Sequence, residues 1–279
     1  MIARPQIPPA AIAPAAFTQG RRPALQLFCL FLGVILLAGF AEPPAQPKPL
    51  DPVEAAKQGR ELVAEILAQT PERELTNPGV LKLRNALGAR KELPLLFQIR
   101  LTPTNWTAVY QVESGMNSNS MPTAAATLSI RHAAGQKNEY AIGAPAGAAG
   151  RLPCPEESFA MTPFAGSDFC LADLGLEFFH WPEQKVLKSE LRKTRLCRVL
   201  ESINPQPATN AYSRVVSWID DESRGILHAE AYDSQNKLLK EFDTKKFKKV
   251  SGDWQLEQME IYNVQTRSRT QIEFNFDSK

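Results

Sequence analysis

Few side chains in this sequence have the type and spacing that metal or cofactor chemistry requires. The three histidines are His132, His180 and His228. None of them stands in the His-x-x-x-His or His-Glu-x-x-His pattern that places two imidazoles on one helix face. The sequence also lacks a Cys-x-x-Cys pair, a spacing that structural zinc sites commonly use. We therefore predict no metal site and no cofactor.

Gly166-Ser167-Asp168 is the turn most easily imagined as a serine nucleophile. Such a serine needs a general base held beside it, and no Gly-x-Ser-x-Gly elbow occurs in the sequence. Ser167 instead precedes an aspartate that is suited to capping a helical turn, as Asp173 is further on. We predict that the protein is not an enzyme, and a hydrolase built on Ser167 is the alternative. The acidic pair Asp220-Asp221 is predicted to lie in a solvated hairpin loop.

The N-terminal segment has the layout of a secretory signal. An arginine pair at 21–22 precedes an apolar run over residues 25–41, and Gly39 and Ala41 stand at the −3 and −1 positions of a cut after Ala41. This pattern predicts export to the periplasm. The run is 17 residues long, close to the shortest stretch that spans a bilayer. An uncleaved anchor in the inner membrane, formed by residues 25–41, is therefore the alternative.

Three segments follow: residues 1–41 are the signal peptide or anchor, residues 42–52 are a Pro-rich tether, and residues 53–279 are a single domain. Without the three leader arginines, 29 basic side chains face 30 acidic ones, which gives a net charge of −1. A nucleic-acid-binding protein needs clustered excess cation, so nucleic acid is excluded as a partner. A domain of this length can bury a full core.

Cys154, Cys170 and Cys197 remain once Cys29 is removed with the leader. In an exported protein, one disulfide and one free thiol is the natural arrangement. The spacing does not decide which two residues pair. We prefer Cys154 with Cys197, because Cys170 falls on an apolar helix. Three unpaired, buried thiols are the alternative.

The residue pattern predicts one helix followed mostly by strands. Asp51 caps a helix that has Pro52 at its first position and continues through Ala68. Residues 71–93 are predicted to be irregular, with a turn at 77–79 and a short helix around 80–87. From Leu95 the apolar period changes to two, which is typical of half-buried strands. Many short strands joined by polar turns predict an antiparallel sheet that curls into a barrel or part of one.

A strongly apolar helical insertion over residues 158–181 interrupts the strands. We expect this lid and the helix at 52–68 to cover the concave face of the sheet. If the cover opens, the space beneath suits acyl chains, because each buried methylene contributes about 0.8 kcal/mol. The alternative is an ordinary filled core. The predicted lid residues are Asp168, Phe169, Leu174 and Phe178. The residues predicted to line the cavity are Phe97, Ile99, Leu101, Tyr110, Leu128, Ile130, Met259, Ile261, Ile272 and Phe274.

The run Lys-Lys-Phe-Lys-Lys at residues 245–249 has two interpretations. Lysines protect an exposed edge strand against aggregation. They also attract the anionic head groups of a lipid surface. Transient contact with a membrane surface is therefore among the predicted interactions.

Short segments in a fixed order carry a family pattern, most clearly from residue 163 onward. They are Gly166-Ser167-Asp168-Phe169 with Asp173-Leu174, then Val199-Leu200-Glu201-Ser202, Tyr212–Asp220, Ala231-Tyr232-Asp233, Leu239-Lys240, Gly252-Asp253-Trp254 with Met259, and Arg269-Thr270. In this order and spacing they resemble the LolA-like outer-membrane lipoprotein-sorting proteins of Gram-negative envelopes. The resemblance covers residues 95–276.

The resemblance implies an α+β, mainly β fold. A curved antiparallel sheet forms an incomplete β-barrel that is covered by an N-terminal helix and a helical lid insertion. It also implies a periplasmic carrier or binder of lipid or lipoprotein acyl chains, held in a hydrophobic cavity, with a role in outer-membrane lipoprotein sorting. The alternative function is a non-enzymatic interaction or structural module of the cell envelope, which has a filled core and a protein partner.

Overall fold

The computed structural model describes residues 50–113, 126–143, 150–152, 157–250 and 253–276. The first element of this part of the chain is a long helix. This helix, α1, covers Pro52–Leu67. The Asp51 side chain accepts hydrogen bonds from the backbone N–H groups of Val53 (2.9 Å) and Glu54 (3.3 Å), so the predicted cap forms. No helix among the described residues is long and apolar enough to cross a membrane.

Thirteen strands of the described chain form one antiparallel sheet. They are β1 (Leu75–Arg84), β2 (Arg90–Leu101), β3 (Asn105–Val112), β4 (Ala126–Ala133), β5 (Glu139–Gly143), β6 (Gly150–Leu152), β7 (Glu183–Arg192), β8 (Arg195–Ile203), β9 (Tyr212–Asp220), β10 (Ile226–Asp233), β11 (Leu238–Val250), β12 (Asp253–Asn263) and β13 (Ser268–Phe274). Their order is β6-β5-β4-β3-β2-β1-β13-β12-β11-β10-β9-β8-β7. Because β6 and β7 are the two edges, the sheet stays open. The predicted fold class is confirmed.

Two meanders, β1–β6 and β7–β13, meet where β1 pairs with β13. Alternate turns of an antiparallel meander lie at the same end of a sheet. The β2–β3, β4–β5, β7–β8 and β9–β10 turns therefore share one end with the last residues of β11 and the first residues of β12. We call this end the mouth.

Strand β1 corrects the prediction of an irregular segment with a turn at 77–79 and a short helix around 80–87. Pro78 and Gly79 lie inside the strand, paired with β2 on one side. On the other side, a Cβ atom on Gly79 would lie 2.5 Å from the carbonyl oxygen of Glu273. Only glycine permits this close approach of two backbones. The prediction of a turn was wrong because a proline followed by a glycine is also the usual pattern of a turn.

The lid, which we define as residues 157–181, consists of short pieces. They are helix α2 (Glu157–Ala160), a 3-10 turn (Phe164–Gly166), helix α3 (Leu171–Gly175) and a second 3-10 turn (Glu177–His180). The lid links the two edge strands in sequence and packs on the sheet. Phe169 and Leu171 join one hydrophobic core with the concave residues of β2–β4, β12 and β13. Phe178 and Phe179 join a second core with α1 and β7–β10.

Helix α1 lies against the edge strand β7. A Cβ atom on Gly59 would lie 2.5 Å from the backbone of Gln184 and Lys185, so the helix touches the strand backbone directly. At its C-terminal end, the Gln69 amide donates to the backbone oxygen of Ser223 in the β9–β10 turn (3.3 Å). The helix therefore reaches the mouth.

Candidate functional site

A buried ion pair fastens the lid to the sheet. Lys240 Nζ lies 3.0 Å from Asp173 Oδ2, and their side chains are only 8% and 12% exposed. The same carboxylate accepts hydrogen bonds from the Tyr212 hydroxyl (2.8 Å) and from the backbone N–H of Cys170 (2.8 Å). Burial opposes the charge of Lys240, yet the Asp173 carboxylate outweighs it, so the pKa of Lys240 is raised. Asp173 thus caps α3, as predicted, and also bonds to Lys240 and Tyr212 on the sheet.

Two further carboxylates hold the lid on either side of this pair. Asp168 accepts from the Thr270 hydroxyl (2.9 Å) and from Ser268, both on β13. Glu177 accepts from the Asn138 amide (3.0 Å) and from the Tyr140 hydroxyl. Three acidic side chains of the lid therefore attach it to different strands.

A cleft of about 720 Å³ opens at the mouth, beside the lid. Its walls are the end of α1 with the following residues (66–71), the β2–β3 turn (101–106), the β4–β5 turn (132–138), and four lid residues. The lid residues are Gly175, Leu176, Phe179 and His180. The cleft is therefore bordered by the C-terminal part of the lid.

An aromatic stack forms part of the wall of this cleft. The rings of Trp106 and His132 lie 3.8 Å apart, with planes at 17°. Burial lowers the pKa of His132 to about 4, against a hydrogen bond with Asn138 that raises it. Burial also lowers the pKa of His180, against the nearby Glu177. Burial therefore favours the neutral form of both imidazoles.

A smaller apolar pocket of about 50 Å³ lies between the lid and the sheet. Leu176 and Phe178 form its lid side, and Phe242 and Ile261 belong to its sheet side. Leu176 lines both this pocket and the mouth cleft. It is held in a left-handed backbone conformation (φ 53°), which turns the chain from α3 into the second 3-10 turn.

The predicted cavity residues mostly come together, but in packed surroundings. Seven of them are buried in one core, together with Phe169 and Leu174 of the lid. They are Tyr110, Leu128, Ile130, Met259, Ile261, Ile272 and Phe274. Phe97 packs against this core, whereas Ile99 and Leu101 are half-buried. Only Leu101 of the ten lines the mouth cleft, and only Ile261 lines the small pocket. The lid thus fills most of the concave face.

Sequence reasoning missed Lys240 and the aromatic stack. Lys240 alternates with Phe242 on β11, so the period of two places it inward, and an inward lysine signals a buried acid. The mouth cleft had no comparable signal, because its walls come from four separate segments of the chain.

Ser167 has a structural role in the folded lid. Its hydroxyl is buried and accepts a hydrogen bond from the backbone N–H of Phe169 (3.1 Å). The described residues contain no group of three or more His, Cys, Asp or Glu side chains that could hold a metal ion.

Asp220 corrects the prediction of a solvated acidic loop. It is buried and accepts two hydrogen bonds from the Arg195 guanidinium (2.8 and 2.7 Å). This pairing lowers the pKa of Asp220 to about 2. Only Asp221 is exposed.

Cys170 and Cys197 are both buried free thiols, so Cys197 does not form the preferred disulfide. Cys154 lies outside the described residues. Cys170 packs beside Asp173, and burial together with that carboxylate raises the pKa of the thiol to about 12.

Comparisons with known proteins found one family model and several solved structures that are similar to this chain. A family model described as "Uncharacterized protein" matches residues 127–276. A DUF1329 family protein from Desulfovibrio piger is 16% identical, with a TM-score of 0.62 over 80% of this chain and 92% of its own. A putative outer membrane lipoprotein-sorting protein domain from Vibrio parahaemolyticus is 18% identical, with a TM-score of 0.62 over 80% and 95%.

A LolA superfamily protein from Nitrosomonas europaea is 14% identical, with a TM-score of 0.51 over 79% of this chain and 91% of its own. These structures confirm the predicted LolA-like resemblance at the level of the fold. No curated protein matches the sequence.

Proposed function

The chain belongs to the family described as "Uncharacterized protein", and we propose from this premise and from its LolA-like fold that it binds or carries lipid or lipoprotein acyl chains. The binding space is the mouth cleft together with the apolar concave face under the lid. One observation carries the proposal: a cleft of about 720 Å³ adjoins the apolar lid residues Leu176 and Phe179. Small-molecule sites typically measure about 300–1,000 Å³.

The lid contacts set a lower limit on the length of a useful guest chain. Opening the lid separates Asp173 from Lys240, and a charge that stays buried without its partner costs about 3–5 kcal/mol. At about 0.8 kcal/mol per buried methylene, four to six methylenes offset that cost. Longer chains gain net affinity, so we expect binding to depend on chain length and to be absent for short acyl groups.

The test is native mass spectrometry of the exported protein from its own host, combined with uptake of a fluorescent fatty acid. A Leu101→Glu variant places a carboxylate in the mouth cleft and should reduce uptake. Leu87→Glu is the matched control, because Leu87 is 94% exposed in the β1–β2 turn, at the end away from the mouth. A clean apo mass without uptake by the native protein contradicts the proposal, as does equal uptake by both variants.

The packing under the lid favours a second function, a non-enzymatic interaction or structural module of the cell envelope. Ile130 and Ile272, both predicted to line a cavity, are fully buried against protein. A protein of this kind keeps a filled core and engages its partner with its outer surface. It would take up no fatty acid even when the lid is loosened by Asp173→Asn, whereas a carrier would take it up faster.

The proposal also includes a periplasmic location with a leader removed after Ala41. Mass spectrometry of the N-terminus of the protein from the periplasmic fraction tests it. A chain that starts before residue 25 and sediments with the inner membrane would support the anchored alternative instead.

A further inference from the structure

The end of strand β11 extends past its neighbour β10 at the mouth. Pairing between β10 and β11 runs from Leu238 to Asp243, whereas β11 continues its pairing with β12 as far as Val250. Within the described chain, residues 245–250 and the facing part of β12 therefore form a two-stranded hairpin that extends past β10. We call residues 245–249 the basic tip.

Two irregularities in the pairing expose consecutive side chains on the basic tip. The register shifts between Thr244 and Lys246 and again between Lys246 and Phe247. Bulges of this kind break the alternation of side chains, and Lys245, Lys246 and Phe247 are all exposed as a result. Phe247, at 45% exposure, stands between lysines on both sides. Lys245 lies 3.0 Å from Glu260, while Lys246 and Lys249 project into solvent.

A second apolar protrusion lies next to the basic tip. Leu191 and Leu196 are cross-strand partners beside the β7–β8 turn and are 74% and 51% exposed. Lys193 in that turn donates to the backbone oxygen of Thr244 and lies 3.5 Å from the Asp243 carboxylate. This contact joins the β7–β8 turn to the base of the β11–β12 hairpin, so the leucine pair and the basic tip lie at the same end of the molecule.

We infer that the basic tip and the leucine pair dock the protein onto an anionic bilayer surface. Exposed Leu and Phe side chains flanked by lysines suit a lipid interface, where apolar groups enter the acyl boundary and cations meet head groups. Charge complementarity selects this occupant. A nucleic acid would satisfy the lysines but leave the leucines in water.

Docking in this way turns the mouth cleft towards the bilayer. The cleft and the basic tip lie at the same end of the sheet. Turning the cleft towards the bilayer serves a purpose only if the proposed function holds. Binding to the bilayer does not depend on that function, because the basic tip and the leucine pair contribute no residue to the cleft.

Flotation with vesicles tests the inference on the mature protein. Vesicles of phosphatidylcholine mixed with phosphatidylglycerol should bind it, and vesicles of phosphatidylcholine alone should not. Binding should weaken as salt rises, because exposed charges are screened. Removing two lysines from the tip, as Lys246→Gln with Lys249→Gln, should weaken binding about 30-fold, since each lysine near an anionic surface contributes about fivefold.

The matched control is Lys91→Gln with Lys237→Gln, which removes the same charge from exposed positions at the end away from the mouth. It should bind as the native protein does. Phe247→Ser should weaken binding without changing its salt dependence. Equal loss in both double variants, equal binding to both kinds of vesicle, or vesicle binding that no tip variant alters would overturn the inference.

Fatty-acid uptake in solution separates the two proposals. The Lys246→Gln/Lys249→Gln variant should take up fluorescent fatty acid normally, while Leu101→Glu should lose uptake and still bind vesicles. Uptake without any vesicle binding overturns the docking surface alone. Vesicle binding without uptake leaves the docking surface standing and contradicts the acyl-binding proposal.

Discussion

Replacing Lys240 with methionine is predicted to loosen the lid. At 3.0 Å and an effective dielectric constant of about 20, the two charges attract by about 5 kcal/mol. Removing one partner of a buried pair costs about 3–5 kcal/mol, because the other charge stays buried. Asp173 keeps its hydrogen bonds from Tyr212 and from the Cys170 backbone. We therefore expect Lys240→Met to lower the free energy of unfolding by about 3 kcal/mol, the lower end of that range. For a domain of this size that corresponds to a drop in Tm of roughly 6–12 °C.

Urea unfolding measures the free energy, and hydrogen exchange of the lid amides locates the loss. Lys188→Met is the matched control, because its pair with Glu190 is solvent-exposed, at 54% and 34%. Exposed pairs contribute about 0–1 kcal/mol. A double-mutant cycle with Asp173→Asn should give a coupling above about 1 kcal/mol. If Lys240→Met costs no more than Lys188→Met, or if the coupling vanishes, the ion pair does not hold the lid.

Three further outcomes follow from the geometry. Gly59→Ala should lower stability in urea unfolding although alanine favours helix by about 1 kcal/mol, because its Cβ would press on the Gln184 backbone at 2.5 Å; a gain in stability would show that α1 shifts freely. The lowered pKa of Asp220, about 2 when folded, stabilises the native state above pH 3.8, and that stability is lost as pH falls towards 2. Asp220→Asn should flatten this part of the stability profile, and an unchanged slope would contradict the assignment. Cys170, with its thiol pKa raised to about 12, should resist alkylation at pH 8 until denaturant is added, as peptide mapping will show; labelling of the native protein would contradict its burial.

Local signals predicted much of the fold. The cap at Asp51 and the helix after it depend on neighbouring residues alone, so the sequence indicates them directly. The period of two placed Leu128 and Ile272 on the concave face, and both are buried there. Strand parity works because one face of this sheet is covered.

Features that depend on residues far apart in the sequence were harder to predict. Pro78-Gly79 looks like a turn, and it became strand only because β1 is paired with both β2 and β13. The predicted solvation of Asp220 was wrong because Arg195, from the preceding hairpin, covers the carboxylate. The mouth cleft depends on the relative position of four segments, which no local pattern encodes.

The lid lies between β6 and β7 in sequence, and these strands are the two margins of the open sheet. A guest that pushes the two margins apart must also stretch the connection that contains the lid. We therefore predict that the sheet widens only if the lid is displaced with it, and that the length of this connection limits the width of a guest. Lengthening this connection with an inserted glycine-serine segment should allow a wider guest without changing any residue that lines the cleft.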